Sequence, residues 1–172
     1  AAGVLRRLGA LAEISQVGID RALQRDVAVD PERKMQIGQR VARAEQVGLR
    51  ITSGLVVSDR NLMGELHTAP GDAYAESRAL MERWHGRGRL RYAVTPRFSG
   101  SCSEAMLEAC AALPGDLTVT THINESVAEI RAVAELFPWS GDYLETYERF
   151  GLAGKGSVLA HDVHVLALPL LP

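Results

Sequence analysis

Residues 117–125 read LTVTTHINE, and this stretch decides the fold. Its first five residues predict a short buried strand, and polar residues follow that strand at once. His122 comes directly after it, and Glu125 lies three residues further on. An apolar strand that ends in polar side chains is typical of parallel α/β proteins, which build their sites at the carboxyl ends of the strands.

Three further segments share this pattern of a short apolar run followed by polar residues. Arg97 and Phe98 follow one of them, and His161 follows another. The segments are residues 49–58 (LRITSGLVVS), 90–95 (LRYAVT) and 157–160 (SVLA). We therefore predict four parallel strands whose carboxyl ends lie on one face of a sheet.

Helical patterns alternate with these strands. Apolar residues recur at helical intervals in some of them, and Ser103 is the expected N-cap of an alanine- and leucine-rich one. The predicted helices cover residues 31–46, 72–85, 103–113, 124–137 and 142–150. The alternation predicts an α/β fold with right-handed crossovers and with helices packed outside the sheet.

The composition argues against two classes of protein, those that bind nucleic acids and those that span membranes. The chain has 172 residues, 47% of them hydrophobic, and a formal net charge of −2. A near-neutral chain lacks the basic surplus that nucleic-acid binding needs, and no apolar stretch reaches the roughly 20 residues of a membrane span. We therefore expect neither a nucleic-acid partner nor a membrane partner. A closed eight-stranded α/β barrel normally needs about 250 residues, so this chain could hold only part of one.

The two cysteines predict a reducing compartment. Cys102 and Cys110 lie eight residues apart on one predicted helix, which separates them by about 12 Å along its axis. This separation is too large for a disulfide. Two reduced thiols predict a cytoplasmic location.

His122 and His161 are the candidate metal ligands. Each follows a predicted strand, so both imidazoles can face one point if the two strands are neighbours. Neutral imidazole is a frequent ligand of zinc, and catalytic zinc sites hold three protein ligands and a water molecule. The alternative is that each histidine is a hydrogen-bonded structural residue, and the spacing alone leaves both interpretations open.

Glu125 and Arg97 are the other candidates. A carboxylate beside a metal-bound water can accept its proton and return it to a leaving nitrogen, although Glu125 could instead complement the N-terminus of the following helix. The guanidinium of Arg97 suits bidentate contact with a carbonyl and a ring acceptor, and Phe98 can pack on an aromatic ring. An ordinary surface arginine is the alternative for Arg97.

Four segments together resemble the guanine deaminases of the amidohydrolase superfamily, in the order and at the spacing of that family. The arginine-containing segment is the one that distinguishes guanine deaminases from many related enzymes. The segments are residues 49–61 (LRITSGLVVSDRN), 94–104 (VTPRFSGSCSE), 121–126 (THINES) and 157–161 (SVLAH). The resemblance covers about residues 40 to 164.

The resemblance implies a fold, a reaction and a role for each candidate residue. The fold would be a partial TIM (β/α)8 barrel holding about strands three to six with their helices. His122 and His161 would be zinc ligands, and His161 would also orient the zinc-bound hydroxide. Glu125 would shuttle protons, Arg97 and Phe98 would bind guanine together with His122 and Glu125, and guanine would be hydrolysed to xanthine and ammonia. Family members are often homodimers.

The chain also departs from the family pattern. The family's His-x-His motif is absent from the sequence, and Asp162 follows the wrong strand to be the family's last zinc ligand. We expect three parts: a poorly matched segment (1–38), the partial barrel (39–164) and an apolar tail (165–172). The simplest interpretation is a truncated copy with weak or no activity. The alternatives are a related amidohydrolase that acts on another amino-purine, a pyrimidine or a triazine, and a non-catalytic remnant.

Overall fold

The computed structural model describes residues 41–164, apart from the side chain at position 65. The predicted segments 1–38 and 165–172 lie outside the described residues. Of the helix predicted over residues 31–46, only residues 41–46 are described, and they are helical (α1).

The sheet consists of parallel strands. Its strands are β1 (Ile51–Ser53), β2 (Val56–Val57), β3 (Leu90–Pro96), β4 (Thr118–Ile123) and β5 (Val158–His161). Their order is β1–β3–β4–β5, and β2 pairs with β3 beyond the end of β1. Every pairing is parallel. The predicted α/β fold is therefore confirmed, and the carboxyl ends of all the strands lie on one face.

The strand predicted over residues 49–58 is interrupted, so the prediction of one continuous strand is wrong. Ile51 pairs with Leu90 and Val56 with Thr95, which is the same register on both sides of the gap. At Gly54 a Cβ atom would overlap the carbonyl oxygen of Ala93. The backbone N–H of the next residue, Leu55, donates to the Tyr92 hydroxyl at 3.3 Å, so a side chain replaces a ladder partner at this point.

The helices begin and end close to the predicted positions, with one exception. They are α2 (Pro70–Trp84), α3 (Glu104–Ala111), α4 (Val127–Leu136) and α5 (Glu145–Glu148). Ser103 caps α3 as predicted, and Ser126 caps α4, which begins three residues later than expected. The helix predicted over residues 142–150 shrinks to α5. The Asp142 carboxylate accepts the backbone N–H of Glu145 at 2.8 Å in the manner of an N-cap, but the turn before α5 is closed by i→i+3 bonds, from Thr146 to Tyr143 and from Tyr147 to Leu144.

Two apolar clusters form the core. The larger lies between the sheet and helices α2 to α4 and includes the fully buried Phe137, Met106 and Ile123. The smaller consists of Val41, Ala44, Trp84 and Leu90. Cys102 and Cys110 belong to the larger cluster as free thiols, as predicted, but the prediction that both lie on one helix is wrong, because Cys102 lies before the Ser103 cap of α3. Within residues 41–164, no helix has the length and apolar character needed to cross a bilayer.

Candidate active site

The two candidate histidines lie side by side where β4 and β5 end. Register pairing sets His122 opposite Ala160 and Ile123 opposite His161. The two imidazole rings have centroids 5.0 Å apart and planes inclined by 30°. The structure therefore brings His122 and His161 to one point, as the strand pattern predicted.

A backbone carbonyl fixes the ring of His122. The Nδ1 atom lies 2.7 Å from the carbonyl oxygen of Arg97, and the backbone N–H of His122 donates to the same oxygen at 3.2 Å. A carbonyl only accepts hydrogen bonds, so Nδ1 carries a proton, and in the neutral tautomer the free lone pair is on Nε2. Metal-binding histidines are oriented in this way.

Glu125 faces the second histidine. Its Oε2 atom lies 3.7 Å from Nε2 of His161. The side chains of Glu125 and His161 are 52% and 41% exposed, so solvent reaches both. The carboxylate therefore lies next to the pair of imidazoles and is open to solvent.

The backbone at the two strand ends is strained. Asn124, His161 and Asp162 have φ values of +52°, +70° and +42°. Such left-handed conformations are uncommon outside glycine and cluster at functional sites. The Asn124 amide donates to Asp162 Oδ1 at 2.9 Å and so links the two loops. Our sequence analysis missed Asn124, although asparagine tolerates the left-handed conformation better than most residues.

Arg97 and Phe98 form a turn directly after β3. The backbone N–H of Arg97 donates to the carbonyl of Val57 at 3.0 Å, and its guanidinium lies 5.0 Å above the Phe98 ring. A Cβ atom at Gly100 would overlap that ring, so glycine makes room for Phe98. The residue expected to bind substrate therefore also supplies the carbonyl that orients His122.

A second carboxylate, Glu129, lies in the first turn of α4, four residues after Glu125. Partial burial raises the pKa of Glu129, and the nearby charge of Glu125 adds to that rise. Its Oε1 atom is buried without a hydrogen-bond partner. Glu129 was not among the predicted site residues, because its position on α4 reads as part of an ordinary amphipathic helix.

The described residues do not by themselves make up a metal site. Within residues 41–164, no group of three or more His, Cys, Asp or Glu side chains is arranged to hold a metal ion. The two imidazoles nevertheless suit a divalent metal such as zinc, since the rings are adjacent and the neutral His122 tautomer that donates from Nδ1 has its lone pair on Nε2.

The hydroxyl of Tyr147, on α5, also touches the site and was missed. It donates to the carbonyl of His122 at 2.7 Å and accepts the backbone N–H of Ser99 at 2.9 Å. Burial raises the pKa of this phenol. No sequence signal identifies Tyr147, because its contacts come from residues 25 and 48 positions away.

Comparisons with known proteins show which proteins this chain resembles. A comparison with family models gave no match. The chain is 59% identical over 126 residues to the probable guanine deaminase of Deinococcus radiodurans, covering 72% of this chain and 29% of that protein. The chain is a homologue of part of the guanine deaminases.

Solved structures agree with this result. Escherichia coli guanine deaminase superposes with a TM-score of 0.75 at 35% identity, over 78% of this chain and 32% of that one. The guanine deaminase of C. acetobutylicum, solved with guanine in its active site, gives a TM-score of 0.72 at 25% identity, over 76% and 32%. The partial-barrel prediction is confirmed, and the chain spans about a third of the length of these guanine deaminases.

Proposed function

We propose that the protein catalyses the hydrolytic deamination of guanine to xanthine and ammonia. The observation that carries the proposal is the meeting of His122, His161 and Glu125 beside the Arg97 turn, in a homologue of part of the guanine deaminases. Water adds to the amino-bearing ring carbon of guanine, the exocyclic C–N bond breaks, and the nitrogen leaves as ammonia.

We propose zinc as the metal of the site. Nε2 of His122 and the imidazole of His161 would hold it, together with ligands outside the described residues. A bound zinc ion lowers the pKa of its water towards about 7, which makes hydroxide available at neutral pH.

Glu125 is the proposed proton carrier. It lies against His161 and is open to solvent, so a water molecule can stand between the carboxylate and the substrate. The carboxylate accepts a proton from the attacking water and delivers it to the departing nitrogen. This role needs a carboxylate that exchanges protons, which glutamine cannot replace.

Arg97 and Phe98 are the proposed contacts of the purine. The planar guanidinium of Arg97 can donate two hydrogen bonds to a ring carbonyl and an adjacent acceptor, and the Phe98 ring can pack on the base. The site then discriminates by polar pairing, because a base without the carbonyl leaves the guanidinium unsatisfied.

The substitution Arg97→Met tests the substrate. We expect kcat/KM for guanine to fall at least about 100-fold, since a charge-assisted bidentate contact is lost. Bound zinc should stay at the wild-type level, because the bond to His122 uses the Arg97 backbone. Xanthine formation measures guanine turnover, and elemental analysis of the purified protein measures bound zinc.

Arg91→Met is the matched control. Arg91 lies on β3, six residues before Arg97, but it is exposed and its side chain bonds only carbonyls of nearby residues among the described contacts. It should leave guanine turnover unchanged. Faster turnover of another amino-purine, a pyrimidine or a triazine by the wild type would favour the related-amidohydrolase alternative. A protein that holds neither zinc nor any such activity would be the non-catalytic remnant.

The compartment and the oligomer belong to the same proposal. Two buried, unbridged thiols support a reducing, cytoplasmic location. The homodimer implied by the family resemblance is tested by the sedimentation of the purified protein.

A further inference from the structure

One buried hydroxyl contacts both the turn after β3, which carries Arg97 and Phe98, and the end of β4, which carries His122. Tyr147 is fully buried on α5, and its oxygen meets the turn after β3 and the end of β4. It accepts the Ser99 backbone N–H at 2.9 Å and donates to the His122 carbonyl at 2.7 Å. The Thr121 hydroxyl lies 3.2 Å from the same oxygen and 3.3 Å from the Arg97 carbonyl, and its single proton can serve either acceptor.

A second bond on the same helix supports the same turn. The Ser99 hydroxyl lies 2.6 Å from the hydroxyl of Thr146, and the Thr146 hydroxyl donates to the Tyr143 carbonyl at 2.7 Å. Ser99 and Thr146 are both fully buried. Ser99 is thus held through its backbone and its side chain, by two consecutive residues of α5.

We propose that Tyr147 is a positioning residue that sets the turn carrying Arg97 and Phe98 relative to His122. Ser99 directly follows Phe98, so the bond from its N–H fixes the end of that turn. The bond to the His122 carbonyl fixes the strand that carries the metal-binding imidazole. The inference rests on the proposed function, because it assigns these two elements to guanine and to the metal.

The role belongs to the hydroxyl and not to the ring. Without the oxygen, the Ser99 N–H and the His122 carbonyl would each lose a buried partner, and unsatisfied buried groups are costly. The backbone N–H of His122 already binds the Arg97 carbonyl, so a shift of the turn also moves the imidazole. A displacement of about 1 Å in such a site can cost about 100-fold in rate.

The test compares Tyr147→Phe with Tyr143→Phe. Tyr143 is also buried and stacks on Tyr147 with ring centroids 5.9 Å apart, but its hydroxyl makes no hydrogen bond to the turn or to β4 in the described part of the chain. We expect Tyr147→Phe to raise KM for guanine at least about tenfold, and more than it lowers kcat. Tyr143→Phe should leave KM near the wild-type value. Equal changes of KM in the two variants would overturn the proposal.

Amide hydrogen exchange gives a readout that needs no activity. We expect the Ser99 amide to exchange at least about tenfold faster in Tyr147→Phe and at the wild-type rate in Tyr143→Phe. If Tyr147→Phe does not fold, Thr121→Val removes the 3.2 Å contact to the same hydroxyl, together with a 3.3 Å contact to the Arg97 carbonyl, and should change KM and Ser99 exchange in the same direction. Unchanged exchange at Ser99 overturns the inference even if guanine is the substrate. Absent guanine turnover in the wild type, with accelerated Ser99 exchange in the variant, defeats the proposed function and leaves the positioning contact standing.

Discussion

The carbonyl oxygen of Arg97 receives two N–H groups of His122, one from the backbone and one from the ring. Residue 97 therefore acts twice in the site: its side chain faces Phe98, and its backbone selects the tautomer of the proposed metal ligand. The two actions are chemically independent, because any residue supplies the carbonyl but only arginine supplies the planar fork. This separation is why a side-chain substitution at position 97 can test substrate binding without disturbing the metal.

Gly54 offers a test at the level of one atom. A Cβ atom at this position would overlap the backbone carbonyl of Ala93 on β3, and backbone cannot move aside cheaply. We expect Gly54→Ala to lower the free energy of unfolding by at least about 1–3 kcal/mol, as overpacking does. Gly71→Ala is the control, because nothing lies within 4 Å of its Cβ position in the first turn of α2. Urea unfolding measures the stability of both variants. A Gly54→Ala variant as stable as Gly71→Ala would contradict the close contact between position 54 and the Ala93 carbonyl.

At the scale of elements, the N-caps of α3 and α4 differ in one respect. Ser126 accepts the backbone N–H of Glu129, and Ser103 accepts that of Met106. The Ser103 hydroxyl also donates to the Asp59 carboxylate, which accepts the Ser103 backbone N–H at 2.7 Å as well. The cap of α3 is therefore tied to the loop that follows β2, whereas the hydroxyl of Ser126 caps α4 alone in the described contacts.

This difference predicts unequal costs of removing the two caps. We expect Ser126→Ala to lower the free energy of unfolding by about 1 kcal/mol, the usual effect of losing an N-cap. Ser103→Ala should lower the free energy of unfolding by about 2 kcal/mol, because it also removes a hydrogen bond that the partly buried Asp59 carboxylate accepts. Urea unfolding of both variants at neutral pH measures the difference. An equal or larger loss in Ser126→Ala would show that the Asp59 bond adds no stability.

The sequence predicted those elements whose causes are local. Each strand is an apolar run bounded by polar residues or glycine, and α3 has its own cap and its own stop. The gap between β1 and β2 escaped prediction because it depends on the Tyr92 hydroxyl, 37 residues after Leu55. The convergence of His122 and His161 was predictable, since parallel strands end on one face. The contacts of the Tyr147 hydroxyl were not predictable, because nothing in the sequence of a short helix indicates which distant backbone groups a hydroxyl on it will bind.

At the scale of the whole molecule, the two apolar clusters stabilise different parts of the fold. The larger supports the ends of β3 and β4 and the helices near the site. The smaller joins α1, the last turn of α2 and the first residue of β3, at the opposite ends of the strands. Leu80 packs against both clusters, so the two share one contact residue of α2. The site is therefore built on the larger cluster and is distant in the fold from the smaller one.

Trp84→Ala tests this division. Trp84 is the largest side chain of the smaller cluster, and truncating a buried tryptophan typically costs about 3–5 kcal/mol. If the clusters open separately, amide exchange should accelerate in residues 41–46 and in β1 while β4 and β5 keep their protection. Met106→Ala, in the larger cluster, should instead accelerate exchange in β3 and β4 around the site. Equal acceleration throughout residues 41–164 in both variants would mean that Leu80 couples the clusters into one cooperative unit, and the site would then share the stability of the whole sheet.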